Sequence, residues 1–248
     1  MSGAVQWLRS LAFVGLIYFM MLPVGLIYLP AALRSRDGAV AACHAWCRVV
    51  KALMPPMVGL RYQVRGTPPT GEVMIAAKHQ SFLDIILIYS AVPRGKFIMK
   101  KELLRAPILG WYAKRIGCVP VDRGKRAEAI RQMVRDVRDG RADPGQLIIY
   151  PQGTRIAPGV KAPYKAGSGA LYAEIDQPCV PVACNVGLFW PRKGILRKPG
   201  LAVVDFLDPI PSGLAVEPFM AQLEQAIEAR SDALMAEAGF NLPGQDER

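Results

Sequence analysis

Residues 73–91 read VMIAAKHQSFLDIILIYSA, from Val73 to Ala91, with Lys78-His79-Gln80-Ser81-Phe82-Leu83-Asp84 at the centre. Val73 to Ala77 is a short apolar run that follows the turn residues Thr67-Pro68-Pro69-Thr70-Gly71, the pattern of a buried strand. Phe82 to Ala91 reads as a helix entered through Ser81 as N-cap. Strand, loop and helix in succession form the unit of an α/β fold.

The same alternation extends in both directions. Met57 to Arg65, Lys96 to Met99, Cys118 to Val121, Gln146 to Tyr150, Cys179 to Ala183 and Leu201 to Leu207 read as further strands. Pro107 to Ile116, with proline at its first position, Lys125 to Arg138, Lys165 to Glu174 and Glu217 to Glu237 read as helices. Short apolar strands alternating with helices predict a mixed, partly parallel sheet covered on both faces.

Ahead of this pattern the chain is different. Ser10 to Leu33 carries no charge, interrupted by Pro23, Gly25 and Pro30, and a second apolar stretch follows Arg34-Ser35-Arg36-Asp37 and runs to Met54. The first run is long enough to cross a bilayer, which takes about 20 residues. The pair also fits a hairpin that dips into one leaflet. We therefore expect a membrane-embedded helical unit over residues 1–56 and an α/β domain over residues 57–248.

Lysine and arginine number 31 against 20 aspartates and glutamates, a formal charge of +11. Such a surplus calls for an anionic partner. The cations lie scattered in twos and threes with no nucleic-acid-binding fingerprint, which points to an acidic membrane face rather than RNA or DNA. Five cysteines at no metal-ligand spacing predict reduced, buried thiols and no metal site.

Two readings of KHQSFLD share one geometry. Ser81-Phe82-Leu83-Asp84 matches a capping box, in which Asp84 serves only the helix start. Alternatively, the loop after a strand is where open α/β sheets bind ligands, and Asp84 in the first turn can reach back to His79. An ionised Asp84 would fix the imidazole tautomer and stabilise its protonated form, making His79 a general base for a substrate hydroxyl. Two arginines follow short apolar strands, Arg123 in GCVPVDR and Arg155 in YPQGTR. With Gly153 allowing close backbone approach, they suggest an anion clamp.

His79-x4-Asp84, GCVPVDR, YPQGTR and VPVA resemble, in order and spacing, the four blocks of the glycerolipid acyltransferase family. Lys100-Lys101-Glu102-Leu103 with Pro107 and Gly110-Trp111 is similar to that family's segment between the first two blocks. The resemblance covers Val73 to Asn185. It implies acyl transfer from a thioester, acyl-CoA or acyl carrier protein, to a lysophospholipid acceptor, the sn-2 hydroxyl of lysophosphatidic acid. His79 would be the base and Asp84 its orienter, while Lys100, Arg123, Gly153, Thr154 and Arg155 would hold the acceptor. A thioester is already activated, so no cofactor is implied, and a lipid acceptor implies an active site on the cytoplasmic face of the cell inner membrane.

The third block commonly carries Glu where this chain has Gln152, and restoring Glu there is expected to keep or improve activity. Lyso-ornithine lipid is an alternative acceptor within the same chemistry. A membrane lipid-binding protein without catalysis is the alternative outside it.

Overall fold

A computed structural model describes residues 3–121, 128, 131, 132, 135 and 144–241. The helix expected over Lys125 to Arg138 lies outside the described residues except at those four isolated positions. Three helices come first: α1 (Gly3–Phe19), α2 (Met21–Arg34) and α3 (Arg36–Val58). Strands β1 (Leu60–Gly66) and β2 (Met74–Ala77) follow, then α4 (Leu83–Ala91), β3 (Lys96–Lys100), α5 (Leu109–Arg115), β4 (Val119–Val121) and β5 (Leu147–Ile149). The chain continues through α6 (Gly167–Ile175), β6 (Cys179–Cys184), β7 (Gly200–Phe206) and α7 (Val216–Glu237).

The seven strands form one sheet in the order β1-β7-β6-β2-β5-β3-β4. β6 and β7 pair antiparallel; every other neighbouring pair is parallel. The mixed, partly parallel sheet read from the sequence is the one observed.

The strand period of two sorts side chains onto two faces. Ile75 and Ala77 of β2, Ile148 of β5 and Val180 and Val182 of β6 face a core shared with α1, α3, α4 and α5. Met74, Ala76, Leu147, Ile149 and Cys179 face the core under α6 and α7, with Leu171, Tyr172 and Phe219. That alternation governs the loop beyond β2: Lys78 falls on the α7 side and His79 on the other.

The N-terminal helices depart from the expected breaks. Pro23 has no N–H to give Phe19, four residues back, and α1 ends at Phe19. Met20 nevertheless stays in the helical region and its N–H reaches Leu16 O. Gly3–Arg34 therefore forms one rod long and apolar enough to cross a membrane by length and composition. The reversal comes at Ser35, whose Oγ accepts from the N–H of Gly38. α2 and α3 pack so closely there that a Cβ on Gly38 would lie 2.2 Å from Ala31 O.

α3 also runs through Pro55-Pro56 to Val58, so β1 starts at Leu60 rather than at the expected Met57. Met54 and Val58 are fully buried and hold the last turn in the core. Its terminal carbonyls are satisfied from α1: Arg9 donates to Pro56 O and Met57 O, and Gln6 to Val58 O. Gly59 then closes the helix at φ 71°. α5 begins at Leu109 instead of at Pro107, because Ile108 sits at φ 62° and the chain turns before it coils.

Candidate active site

β2, β5, β3 and β4 are mutually parallel, so their C-terminal ends share one edge of the sheet. Every site residue read from the sequence follows from, or ends, one of these strands. His79 follows β2, Lys100 ends β3, Gly153 to Arg155 follow β5, and Arg123 follows β4 but lies outside the described residues. Lys100 pairs with Val121 in the β3–β4 ladder. The edge of an open parallel sheet is where ligands are expected.

Asp84 answers both readings at once. The helix proper starts at Leu83, after Phe82 in helical conformation, so Ser81 is not the formal cap. Its Oγ instead accepts from Leu83 N at 2.9 Å. Oδ2 of Asp84 accepts the backbone N–H groups of Gln80 and Ser81 at 2.8 and 2.7 Å. Oδ1 lies 2.8 Å from Nδ1 of His79. One oxygen ties down the loop and the other the imidazole, and the carboxylate is fully buried. With Nδ1 donating its proton to Asp84, Nε2 carries the free lone pair.

Tyr150 supplies the second constraint on the ring. It stacks on His79 with centroids 3.9 Å apart and planes 21° from parallel. Burial, then the nearby Asp84 charge, push its phenol well above the usual range, so it stays neutral. On the other side of the sheet Lys78, 3% exposed, places Nζ 2.6–2.7 Å from both carboxylate oxygens of Glu228 on α7. Tyr164 O–H donates to the same carboxylate at 2.8 Å. Gln80 Oε1 accepts from Gly187 N at 2.9 Å. Each residue from Lys78 to Ser81 is thus held by a side-chain contact.

His79 opens onto a cavity of about 1020 Å³, at the top of the range for ligand pockets. Its greater part is apolar and lies between α2, α3, α4 and α5, with Trp46, Ile86, Tyr89, Met99, Ile108 and Tyr112 on its walls. Cys43, Cys47 and Cys118 also line it; burial, the largest cause in each case, pushes their thiols up to about 12, 12 and 11. All five cysteines are free.

The opposite end is cationic. Gly153, Thr154 and Arg155 line it together with Lys165 and Arg192, which sequence reading did not single out. Arg155 and Arg192 each donate to the other's backbone carbonyl, at 3.4 and 3.0 Å. Gly153 stands at φ 69°, and a Cβ there would come within 2.8 Å of Lys165 Nζ. The only advance signal for Lys165 was its place at the start of the small-residue helix expected over Lys165 to Glu174; Arg192 had none.

Gln152 departs from the expected role. Buried at 4% exposure, it does not line the cavity. Its Nε2 donates to Ala162 O at 3.2 Å, fixing the loop that returns over the site.

The acyltransferase family profile matches residues 61–185, half of the chain. A 1-acyl-sn-glycerol-3-phosphate acyltransferase of Pseudomonas aeruginosa is 30% identical over 77% of this chain and 76% of its own length. The enzyme of the same name from Saccharomyces cerevisiae is 27% identical over 76% of this chain, of which the match spans 64% of the yeast protein. The crystal structure of the 1-acyl-sn-glycerophosphate acyltransferase PlsC from Thermotoga maritima superposes with a TM-score of 0.78 at 20% identity, over 92% of this chain and 95% of that one. With a histidine and a buried aspartate paired at the edge of a mixed sheet, on the segment that carries the profile match, this chain belongs to the acyltransferase family.

Proposed function

We propose that the protein transfers a fatty acyl group from an acyl thioester to the sn-2 hydroxyl of 1-acyl-sn-glycerol-3-phosphate, giving phosphatidic acid. The observation that carries this reading is the His79–Asp84 pair, opening on a cavity that is apolar along most of its length and cationic at one end. Such a site suits a reactant with a long hydrocarbon chain and an anionic head group.

His79 Nε2 takes the proton of the acceptor hydroxyl as its oxygen attacks the thioester carbonyl. Asp84 stabilises the resulting imidazolium. The tetrahedral intermediate collapses with cleavage of the C–S bond, and the departing thiolate recovers the proton from His79. The bonds and protons balance with no further reactant. Arg155, Gly153 and Thr154, with Arg123 and Lys100, hold the acceptor phosphate. The thioester donor is acyl-CoA or acyl carrier protein.

Membrane association follows from the outer face of α1 and α2. Trp7, Leu8, Phe19, Leu26 and Ile27 are exposed there, while Phe13, Ile17 and Ala32 on the inner face are fully buried against the domain. A rod fixed along its length to an α/β domain lies in the membrane surface rather than across it. The positive surface suits the acidic cytoplasmic face of the inner membrane.

Incubation with long-chain acyl-CoA and a panel of lysophosphatidic acid, lyso-ornithine lipid and monoacylglycerol tests the reading. Labelled phosphatidic acid is the expected product. Acylation of the ornithine lipid alone would overturn the acceptor, and no transfer to any acceptor the activity.

A further inference from the structure

The cationic end of the cavity contains more than the residues assigned to the acceptor above. α6, nine residues long, begins there with no side-chain cap, since Ala166 occupies the N-cap position. Its first turn lines the cavity through Gly167 and Ser168. Ser168 is 8% exposed, and its hydroxyl makes no hydrogen bond among the described residues. Immediately before this helix, the ammonium of Lys165 lies over Gly153. Facing it, Arg155 and Arg192 fix each other through their backbone carbonyls. No carboxylate pairs with any of these three cations among the described residues.

A helix N-terminus carries about half a positive charge and presents backbone donors. Combined with a lysine, two arginines and a free hydroxyl, it makes a concave surface suited to a group with several acceptor oxygens and close to two negative charges. A phosphate monoester has both properties near neutral pH. A carboxylate or a phosphodiester carries a single charge.

We propose that Lys165, Ser168 and Arg192, together with Arg155, form a cradle for the phosphate monoester of the acyl acceptor, and that this cradle sets the preference for phosphate-bearing over uncharged glycerolipids. The inference rests on the acyltransferase reading of His79. Position supports the acceptor over the donor as the source of the phosphate. The turn carrying Arg155 is tied to the histidine loop by Ile156 N donating to His79 O at 2.7 Å, and Tyr150 at its base stacks on the imidazole. On lysophosphatidic acid the phosphate is separated from the reacting hydroxyl by two carbons and an ester oxygen. On coenzyme A the phosphate monoester stands a whole pantetheine arm from the thioester.

The test is steady-state kinetics in mixed micelles with lysophosphatidic acid, monoacylglycerol and long-chain acyl-CoA, for wild type, Lys165→Gln, Arg192→Gln and Ser168→Ala. Wild type must first acylate lysophosphatidic acid; failure there overturns the underlying reading and the cradle with it, whereas the variant outcomes below bear on the cradle alone. Given that activity, each charge-removing variant is expected to raise the acceptor KM at least tenfold and Ser168→Ala several-fold, with kcat and the donor KM within about twofold. Lys165→Arg is expected to restore most of the loss. Discrimination against monoacylglycerol should fall by the same factor as the acceptor KM rises. Acceptor KM values within twofold of wild type in all three variants would overturn the cradle. So would a rise in the acyl-CoA KM instead, which would assign these residues to the nucleotide's phosphate. A fall in kcat with a lowered unfolding midpoint, not rescued by Lys165→Arg, would show a structural role and overturn it as well.

Discussion

At the scale of the residue, Asp84 decides what a substitution can reveal. Its two oxygens do separate jobs, one for the loop amides and one for His79. Asp84→Asn can keep the first, because the amide oxygen still accepts from Gln80 and Ser81. The NH2 group must then face Nδ1, which has to give up its proton and leave it on Nε2. We expect Asp84→Asn to unfold at nearly the wild-type temperature yet lose activity about as deeply as His79→Ala, roughly 10²–10⁴-fold. Retention of more than a third of wild-type turnover by folded Asp84→Asn would mean that the carboxylate only caps. Gln152 reverses an expectation. Family likeness favours restoring Glu, but the amide nitrogen donates to Ala162 O from a buried site. A carboxylate there would set oxygen against oxygen. Gln152→Glu is expected to lower stability by about 1–3 kcal/mol and to raise the acceptor KM. An unchanged melting temperature would refute this. The pair His79–Asp84 was legible because five residues suffice to bring a first-turn carboxylate back to the loop. Lys165 and Arg192 were not, since they are joined to Arg155 only by the return of distant loops.

At the scale of the element, alternation along β2 binds two layers of the molecule to one loop. Lys78 leaves on the α7 side and is almost wholly buried, while its partner Glu228 retains 25% exposure. Replacing Glu228 by Gln strands a buried ammonium, at a cost of about 3 kcal/mol, the lower end for a buried pair because water can reach the glutamate side. The double change Lys78→Met with Glu228→Met is expected to recover most of that loss. A double variant no more stable than Glu228→Gln, measured by chemical denaturation, would count against the ion pair. The central strands could be read from sequence because burial on both faces leaves continuous apolar runs, as in VMIAA and QLIIY. The end of α3 could not. Pro55-Pro56 ordinarily stop a helix, and only the side chains of Gln6 and Arg9, far back in the chain, satisfy the carbonyls beyond them. The apolar walls contributed by α3 and α5 give a separate prediction. With Cys43 and Cys47 held protonated to about pH 12 by burial, maleimide labelling of Cys43 at pH 8 should be slow in the folded protein. A long-chain acyl-CoA should slow it further, as shown by mass spectrometry; equal rates with and without acyl-CoA would remove the chain from that cavity.

At the scale of the whole molecule, the N-terminal helices form a layer of the fold as well as a candidate anchor. Val50, Met54 and Val58 of α3 share a core with β2 and β6, and Phe13 of α1 packs edge-on against Trp190 at 5.6 Å. Deleting residues 1–56 is therefore expected to abolish cooperative unfolding, contrary to what the change of sequence pattern at Met57 suggests. Polar substitution of exposed Leu26 and Ile27 should leave the melting temperature unchanged and weaken flotation with acidic vesicles. Unweakened flotation would assign attachment to the basic surface alone. A further consequence concerns traffic of the hydrocarbon chains. Leu103 and Leu109 line the cavity and are also 44% and 39% exposed, beside α2, whose Gly25 carbonyl accepts from Tyr112 of α5 at 2.7 Å. The cavity therefore opens through the same apolar surface that would rest in the lipid. A chain passing along that route exchanges one oily environment for another and avoids the roughly 0.8 kcal/mol per methylene that passage through water would demand. Turnover then follows the mole fraction of acceptor within the interface: inert lipid added at constant bulk acceptor dilutes the substrate in two dimensions and slows the enzyme.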